Sequence, residues 1–359
     1  MTPEFWKNKK VFLTGHTGFK GSWFSSWLKK LGAEVTGYSL NPPTKPSLFE
    51  LLDVKKGMEH IVGDIRDLEK LAEAISSTNP HIIIHMAAQS LVRLSYDQPV
   101  DTYMTNVIGT ANLFEAVRTN PGDVRCVLNI TSDKCYENRE WERGYTENDA
   151  MGGYDPYSSS KGCAELVTSA YRRSFFNSER YKDHGISIAS ARAGNVIGGG
   201  DWAKDRLITD IMNSYLKGMS VEIRNPHAVR PWQHVLEPLS GYLSLCEHMW
   251  TDGTSYAEGW NFGPEIESAK TVSWIVEEIG KLLGEDFDWE IDKDPGPHEA
   301  KALYLDSTKA KERLDWSQQL SLEKTLEWIV DWYREYKSDG DLAKITNQQI
   351  ADYQALAES

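Results

Sequence analysis

The sequence predicts an α/β protein, a doubly wound parallel sheet followed by a smaller, mostly helical C-terminal lobe. Three observations predict it. β-branched apolar runs alternate with segments of helical apolar spacing through the first two-thirds of the chain. The first of these runs ends in a glycine turn, Gly15-His16-Thr17-Gly18-Phe19-Lys20-Gly21, where a helix begins. From about Gly198 the alternation stops, and Pro- and Gly-rich connections separate the helical stretches.

Taken in order, the candidate strands are Lys10–Thr14, Glu34–Ser39, Glu59–Val62, His81–Met86, Val124–Thr131 and Ser187–Arg192. Helical spacing covers Gly21–Leu31, Leu68–Ser77, Thr102–Arg118 and Ser158–Phe176. The strands are continuously apolar, as strands buried on both faces of a parallel sheet must be. Right-handed crossovers then place helices on both faces. Beyond Gly198-Gly199-Gly200-Asp201-Trp202, helices are expected over Leu207–Lys217, Pro238–Met249, Val272–Leu283 and Leu322–Tyr336. Residues 1–197 are expected to form a Rossmann-type dinucleotide-binding domain, to which some later segments return. Residues 198–337 are expected to form the substrate lobe, and 338–359 a polar, loosely attached tail.

At 359 residues the chain can bury a large core. Its formal net charge of −14 argues against general binding to nucleic acid or an anionic membrane. The segment Met1–Lys7 is too polar for a signal peptide. No apolar run approaches the roughly 20 residues of a membrane span, so a cytoplasmic protein is expected. Cys126, Cys135, Cys163 and Cys246 show no C-x-x-C spacing and read as free thiols. Cys135 reads as a packing residue, and no metal is expected.

In the glycine turn, Gly15 lets the chain turn after the first strand, and Gly18 leaves room for a pyrophosphate. Gly21 lets the helix approach the sheet. Phe19 and Lys20 lie at the helix start, whose N–H groups attract anions. The spacing is one residue longer than the commonest dinucleotide fingerprint. The second strand ends in Tyr38-Ser39-Leu40 rather than an acidic residue, so Ser39 is the candidate for a ribose hydroxyl, and NAD is favoured over NADP. Asp64, followed by Ile65, is either a contact for the adenine amino group or a helix N-cap.

Thr131-Ser132-Asp133-Lys134 ends a strand, and Tyr157 and Lys161 follow one helical turn apart. A free tyrosine ionises near pH 10, and a neighbouring cation should lower that value. Ser132 or Thr131 would orient a substrate hydroxyl for proton loss. This set points to nicotinamide redox chemistry on an alcohol.

With these motifs in place, the chain resembles the extended short-chain dehydrogenases/reductases over roughly residues 8–335, in particular their nucleotide-sugar branch. Further support comes from His85-Met86-Ala87-Ala88-Gln89-Ser90, Asn106-Val107-Ile108-Gly109-Thr110, Arg192-Ala193-Gly194-Asn195-Val196 and Arg230-Pro231-Trp232-Gln233-His234-Val235. The strings Gly15–Trp23, Ser132-Asp133-Lys134 and Gly198–Ile208 resemble the 4,6-dehydratases that act on CDP-glucose. The resemblance implies oxidation at C4, loss of water across C5–C6 and hydride return to C6, giving a 6-deoxysugar precursor for surface polysaccharide such as O-antigen. It adds Ala87, Ala88, Gln89 and Asn106 to the cofactor contacts. It makes Asn195, Arg206, Arg230 and His298 substrate contacts; Arg93 could face either sugar or solvent. The common dehydratase pattern has Asp followed by Glu, and Lys134 stands in the Glu place here. Asp133 is then the acid for the 6-hydroxyl, and Lys134 either the C5 base or an enolate stabiliser. The resemblance also implies a homodimer or dimer of dimers through the helices holding Thr102–Arg118 and Tyr157–Arg173.

Overall fold

A computed structural model describes residues 2–284, 289–292 and 303–357. Its centre is a seven-stranded parallel sheet: β1 (Lys10–Thr14), β2 (Glu34–Ser39), β3 (Glu59–Val62), β4 (Ile82–His85), β5 (Cys126–Ile130), β6 (Ser187–Arg192) and β7 (Gly259–Asn261). The order is β7-β6-β5-β4-β1-β2-β3. Leu13 of β1 lies beside Gly37 of β2 and Ile84 of β4. The winding therefore reverses between β1 and β4, and a crevice opens at their C-terminal ends. β7 comes from the second half of the chain, so the sheet is completed only after the chain has left it.

Side-chain alternation divides the core. Val11, Leu13, Ile82 and Ile84 face one cluster, while Phe12, Ile83, Val127 and Ile188 face the other. The larger cluster packs against α1 (Phe19–Lys30) and later helices. The smaller packs against α2 (Leu68–Thr78) and α3 (Gly109–Thr119). The remaining major helices are α4 (Pro156–Ser174), α5 (Leu207–Lys217), α6 (Leu236–Thr251), α7 (Val272–Leu283), α8 (Leu322–Lys337) and α9 (Leu342–Ala357).

Two segments depart from the sequence-based expectation. The stretch expected as one helix over Thr102–Arg118 begins as Pro99–Tyr103, widens into a π-turn over Met104–Ile108, and only then becomes α3. The widened turn carries Asn106, whose side chain ties the loop after β4 to α4. Residues 339–357 are not a loose tail. They form α9, with Ile350 and Tyr353 buried, Trp332 Nε1 donating to Thr346 Oγ1 at 3.0 Å, and the Tyr353 ring edge-on to Trp27 of α1. Only three of the helix's apolar side chains are buried, Leu342, Ile350 and Tyr353, so its composition reads as polar although its docked face is not.

Candidate active site

A cavity of about 1990 Å³ lies over the crevice and is lined both by residues before Gly198 and by residues after it. Its floor is the glycine turn. Gly15 has φ +76, and a Cβ there would sit 2.7 Å from the Ala87 nitrogen. A Cβ at Gly21 would run into the Gly15 carbonyl, so Gly21 is what lets α1 lie against the turn. A Cβ at Gly18 would meet only the Gly15 carbonyl, at 3.5 Å, and the space above it belongs to the cavity. No side chain caps the start of α1, which leaves its first N–H groups to an anion.

Ser39 lines the cavity at the end of β2, 2.8 Å from Thr17 Oγ1. Thr17 has one hydroxyl proton and gives it to the Leu40 carbonyl at 3.0 Å. Ser39 therefore donates to Thr17 and keeps its lone pairs for a ribose hydroxyl. Phe19, Ile65, Ala87, Ala88 and Gln89 also line the cavity. Asp64 lines it too, but both carboxylate oxygens are engaged by Arg66, at 2.7 to 3.1 Å. Asp64 is not the helix cap; Asp67 caps α2 by accepting from the Lys70 N–H. These groups fit a dinucleotide: a backbone cradle for two phosphates, a hydroxyl acceptor for ribose, and a Tyr–Lys pair at the far end.

One expected cofactor contact lies off the cavity lining. Asn106 is buried behind the wall rather than in it. Its amide accepts from Gln89 N–H at 2.9 Å and donates to the Gln89 carbonyl at 2.9 Å and to Ser160 Oγ at 2.8 Å. With those groups engaged it holds the cofactor-facing loop in place.

The reactive groups converge. Asp155 caps α4, accepting from Ser158 N–H at 2.9 Å, and this fixes the first turn that carries Tyr157. Ser132 Oγ donates to Asp133 Oδ1 at 2.8 Å, and the Lys134 N–H donates back to Ser132 Oγ at 3.3 Å. Gly194 makes room for this turn, since a Cβ there would fall on the Asp133 carboxylate. Lys161 Nζ donates to the Ile130 carbonyl at 3.4 Å. Ser132, Asp133, Lys134, Tyr157 and Lys161 all line the same cavity.

The electrostatics correct another expectation. Tyr157 is pushed up to about 12, not down: burial dominates and Asp133 adds to it, while Ser132 and Arg206 pull the other way. Burial lowers Lys161 to about 8. Lys20 is lowered to about 7 by burial and by its neighbours Lys161 and Arg206. The sequence named Lys20 as a cofactor contact without showing that it stands beside Lys161 and Arg206.

Among the expected substrate contacts, Asn195 adopts φ +49, a left-handed conformation rare for a residue with a side chain, and lines the cavity. Arg206 pairs with Asp201 at 2.6 Å and reaches Ser90 Oγ at 3.3 Å. Arg230 lines the cavity from the short strand Val229–Pro231. Arg93 leans toward Asp205 at 3.4 Å. His298 lies outside the described residues. Sequence reasoning missed Thr17, which stands inside the fingerprint, and Tyr154, an 80% exposed ring on the cavity rim. It also missed Arg224, which is paired with Asp205 at 3.0 Å. Only Thr17 had a signal, its place between two fingerprint glycines.

Comparison with known proteins agrees with this geometry. The family model described as GDP-mannose 4,6 dehydratase matches residues 12–329. A CDP-glucose 4,6-dehydratase of Salmonella typhimurium is 55% identical over 98% of this chain and 97% of its own length. The CDP-paratose 2-epimerase of Salmonella typhi is 24% identical over 90% of this chain and 98% of its own. In fold, a dTDP-glucose 4,6-dehydratase of Streptomyces venezuelae, solved with NAD, matches with TM-score 0.77 and 23% identity, over 92% of this chain and 99% of that one. A UDP-glucose 4-epimerase of Thermotoga maritima matches with TM-score 0.79 and 22% identity, over 91% and 99%. The glycine cradle, the Tyr157–Lys161 pair and a family match across most of the chain lead to one conclusion: the protein belongs to the GDP-mannose 4,6-dehydratase family, within the extended short-chain dehydrogenases/reductases.

Proposed function

We propose that this chain is a hydro-lyase, an NAD-dependent 4,6-dehydratase that converts CDP-glucose to CDP-4-keto-6-deoxyglucose. The carrying observation is that Asp133 and Lys134 share one cavity with Tyr157 and Lys161. A simple alcohol dehydrogenase or 4-epimerase needs only the second pair. The nucleotide follows the 55% identical relative, a CDP-glucose 4,6-dehydratase.

Gly15, Gly18, Gly21 and Ser39 would hold NAD. When bound, NAD would supply an acceptor for the C4 hydride, its return to C6, and positive charge in the pocket. Tyr157 takes the proton from the glucose 4-hydroxyl, which Ser132 orients. The resulting 4-ketone acidifies the C5 proton. Asp133 delivers a proton to the leaving 6-hydroxyl, and Lys134 removes the C5 proton or stabilises the enolate. Because burial holds Tyr157 near 12, its ionisation depends on nearby positive charge. Arg206 and Arg230 are suited to the diphosphate, with Asn195 beside them.

Among the described residues no helix is long and apolar enough to cross a membrane. The reading places the enzyme in the cytoplasm, where nucleotide sugars are made. Val100 (72% exposed), Met104, Ile108 and Leu166 (61%) are exposed apolar side chains on the Pro99–Ile108 segment and α4. A homodimer through these side chains is part of the proposal, and light scattering of purified protein tests it. The activity is tested by mass spectrometry after incubation with NAD and CDP-, dTDP-, UDP- or GDP-glucose, or GDP-mannose, separately. Loss of one water from CDP-glucose alone is expected. Water loss from another sugar nucleotide instead would overturn the nucleotide assignment, and an isobaric product would replace the dehydratase with an epimerase.

A further inference from the structure

Tyr157, Lys161 and Glu165 follow one another at four-residue intervals on one face of α4. The first two are catalytic in the reading above, and the third has no assigned task. Glu165 is buried, as is its partner Arg192, which donates to it from Nε and Nη2, both at 2.9 Å. Two further donors complete the shell: Thr131 Oγ1 at 2.5 Å and Ser190 Oγ at 2.7 Å. Arg192 passes the connection on to the Tyr136 hydroxyl at 2.5 Å, which donates to Asn261 Oδ1 at 2.8 Å. One carboxylate thus joins α4, the end of β5, β6 and, through Arg192 and Tyr136, β7.

Burial alone would raise the Glu165 carboxyl, but Arg192 and the hydroxyl donors outweigh it and keep it ionised. A buried ion pair costs desolvation and is often no more stabilising than a hydrophobic pair of similar shape. Stability alone is therefore a weak reason for this one. Its location supplies a better one. Thr131 directly precedes Ser132, and Lys161 lies one turn along the helix.

We propose that Glu165, paired with Arg192, is a positioning residue that ties the Ser132-Asp133-Lys134 run to the Tyr157–Lys161 pair and sets a fixed negative charge one turn behind the Lys161 ammonium. The proposal rests on the assignment of Tyr157 and Lys161 as the proton-handling pair. The other charged or titratable groups facing Lys161 are Lys20 from α1, His85 from β4 and Cys135 from the turn after β5. Those facing Tyr157 are Asp133, Asp155 and Arg206. Arg172 faces Glu165 and Arg192 from α4 itself.

The test compares Glu165→Gln, Glu165→Asp and Thr131→Val as NAD-loaded enzymes. In Glu165→Gln the Arg192 cation is left without its counter-charge. Extra positive charge favours the Tyr157 phenolate and disfavours the Lys161 ammonium, so both limbs of the kcat–pH bell should move to lower pH. With the reacting groups displaced, kcat should fall about 10- to 100-fold while KM stays within about threefold. Glu165→Asp keeps the charge, so it should keep the limbs while losing kcat. Thr131→Val keeps the ion pair but cuts the tie to β5, and should lose about tenfold in kcat with unmoved limbs. A folded Glu165→Gln enzyme with wild-type kcat or unmoved limbs overturns the proposal, as does wild-type kcat in Thr131→Val. A readout without substrate separates this outcome from failure of the proposed function. The phenolate absorbance of Tyr157, taken as the difference from Tyr157→Phe with NAD bound, should appear at lower pH in Glu165→Gln even if CDP-glucose is not the substrate. No displacement of that titration would also overturn the proposal.

Discussion

The two walls of the cavity are built from different materials. The cofactor wall is mostly backbone: Gly15, Gly18 and Gly21 succeed by lacking side chains, and the uncapped start of α1 offers N–H groups. The substrate wall is mostly side chains already engaged with one another, Arg206 with Asp201, and Arg224 and Arg93 with Asp205. Backbone geometry is rigid and indifferent to the rest of the ligand, which suits a cofactor that is reused. If the proposed diphosphate binds here, paired arginines are able to exchange their aspartates for it, which suits a substrate that must come and go. The proposed catalytic groups stand where the two walls meet, and they are coupled to Lys20 and Arg206, one from each wall.

Breaking the junction should have the largest effect. Tyr157→Phe removes the proton acceptor and should cut kcat by about 10²- to 10⁴-fold. NAD binding, followed by calorimetry, should stay close to wild type, because the cradle is untouched. On the cofactor wall, Gly21→Ala places a Cβ against the Gly15 carbonyl and 2.7 Å from His16 Cα. Backbone rather than a flexible side chain must yield. Destabilisation of about 1–3 kcal/mol is expected in denaturant melts, with loss of NAD retention on gel filtration. On the substrate wall, Arg206→Gln should raise KM for the nucleotide sugar by about tenfold to a hundredfold, the worth of a charge-assisted contact. Its NAD affinity should change less than that of Gly21→Ala. An equal loss of NAD affinity in both variants would erase the distinction between the walls.

The smallest effect concerns the clasp beneath them. Glu237 of α6 is buried, accepts from Leu320 N–H at 2.7 Å and from the Tyr353 hydroxyl at 2.7 Å, and so fastens α9. Burial raises it to about 7. An acid raised in the folded state contributes stability that is full below its unfolded value, near 4.5, and is lost as pH rises through about 7. The melting temperature should therefore fall from pH 5 to pH 8, and fall less in Glu237→Gln. Equal slopes in the two proteins would remove Glu237 from the pH response.

What could be read in advance follows a physical line. The strand ends β1, β2 and β6 are found where apolar periodicity places them, because local patterning sets them. The π-turn at Met104–Ile108 was not legible, and Asn106 on it bonds Gln89 and Ser160, residues far away in sequence. Polar composition concealed α9 because a helix needs only one apolar face to dock. The upward displacement of Tyr157 was missed because a sequence shows neighbours along a helix but not how deeply they are buried.

By itself the sequence determined the doubly wound sheet, the glycine cradle and the presence of Tyr157, Lys161, Ser132, Asp133 and Lys134. All of these are written in short-range spacing, where periodicity and steric need act over a few residues. The tertiary structure alone decided which charges meet: Lys20 beside Lys161 and Arg206, Glu165 between Thr131 and Arg192, and α9 against the cofactor helix. Those contacts join residues tens to hundreds of positions apart. Their energies depend on burial and distance, which exist only once the chain has folded.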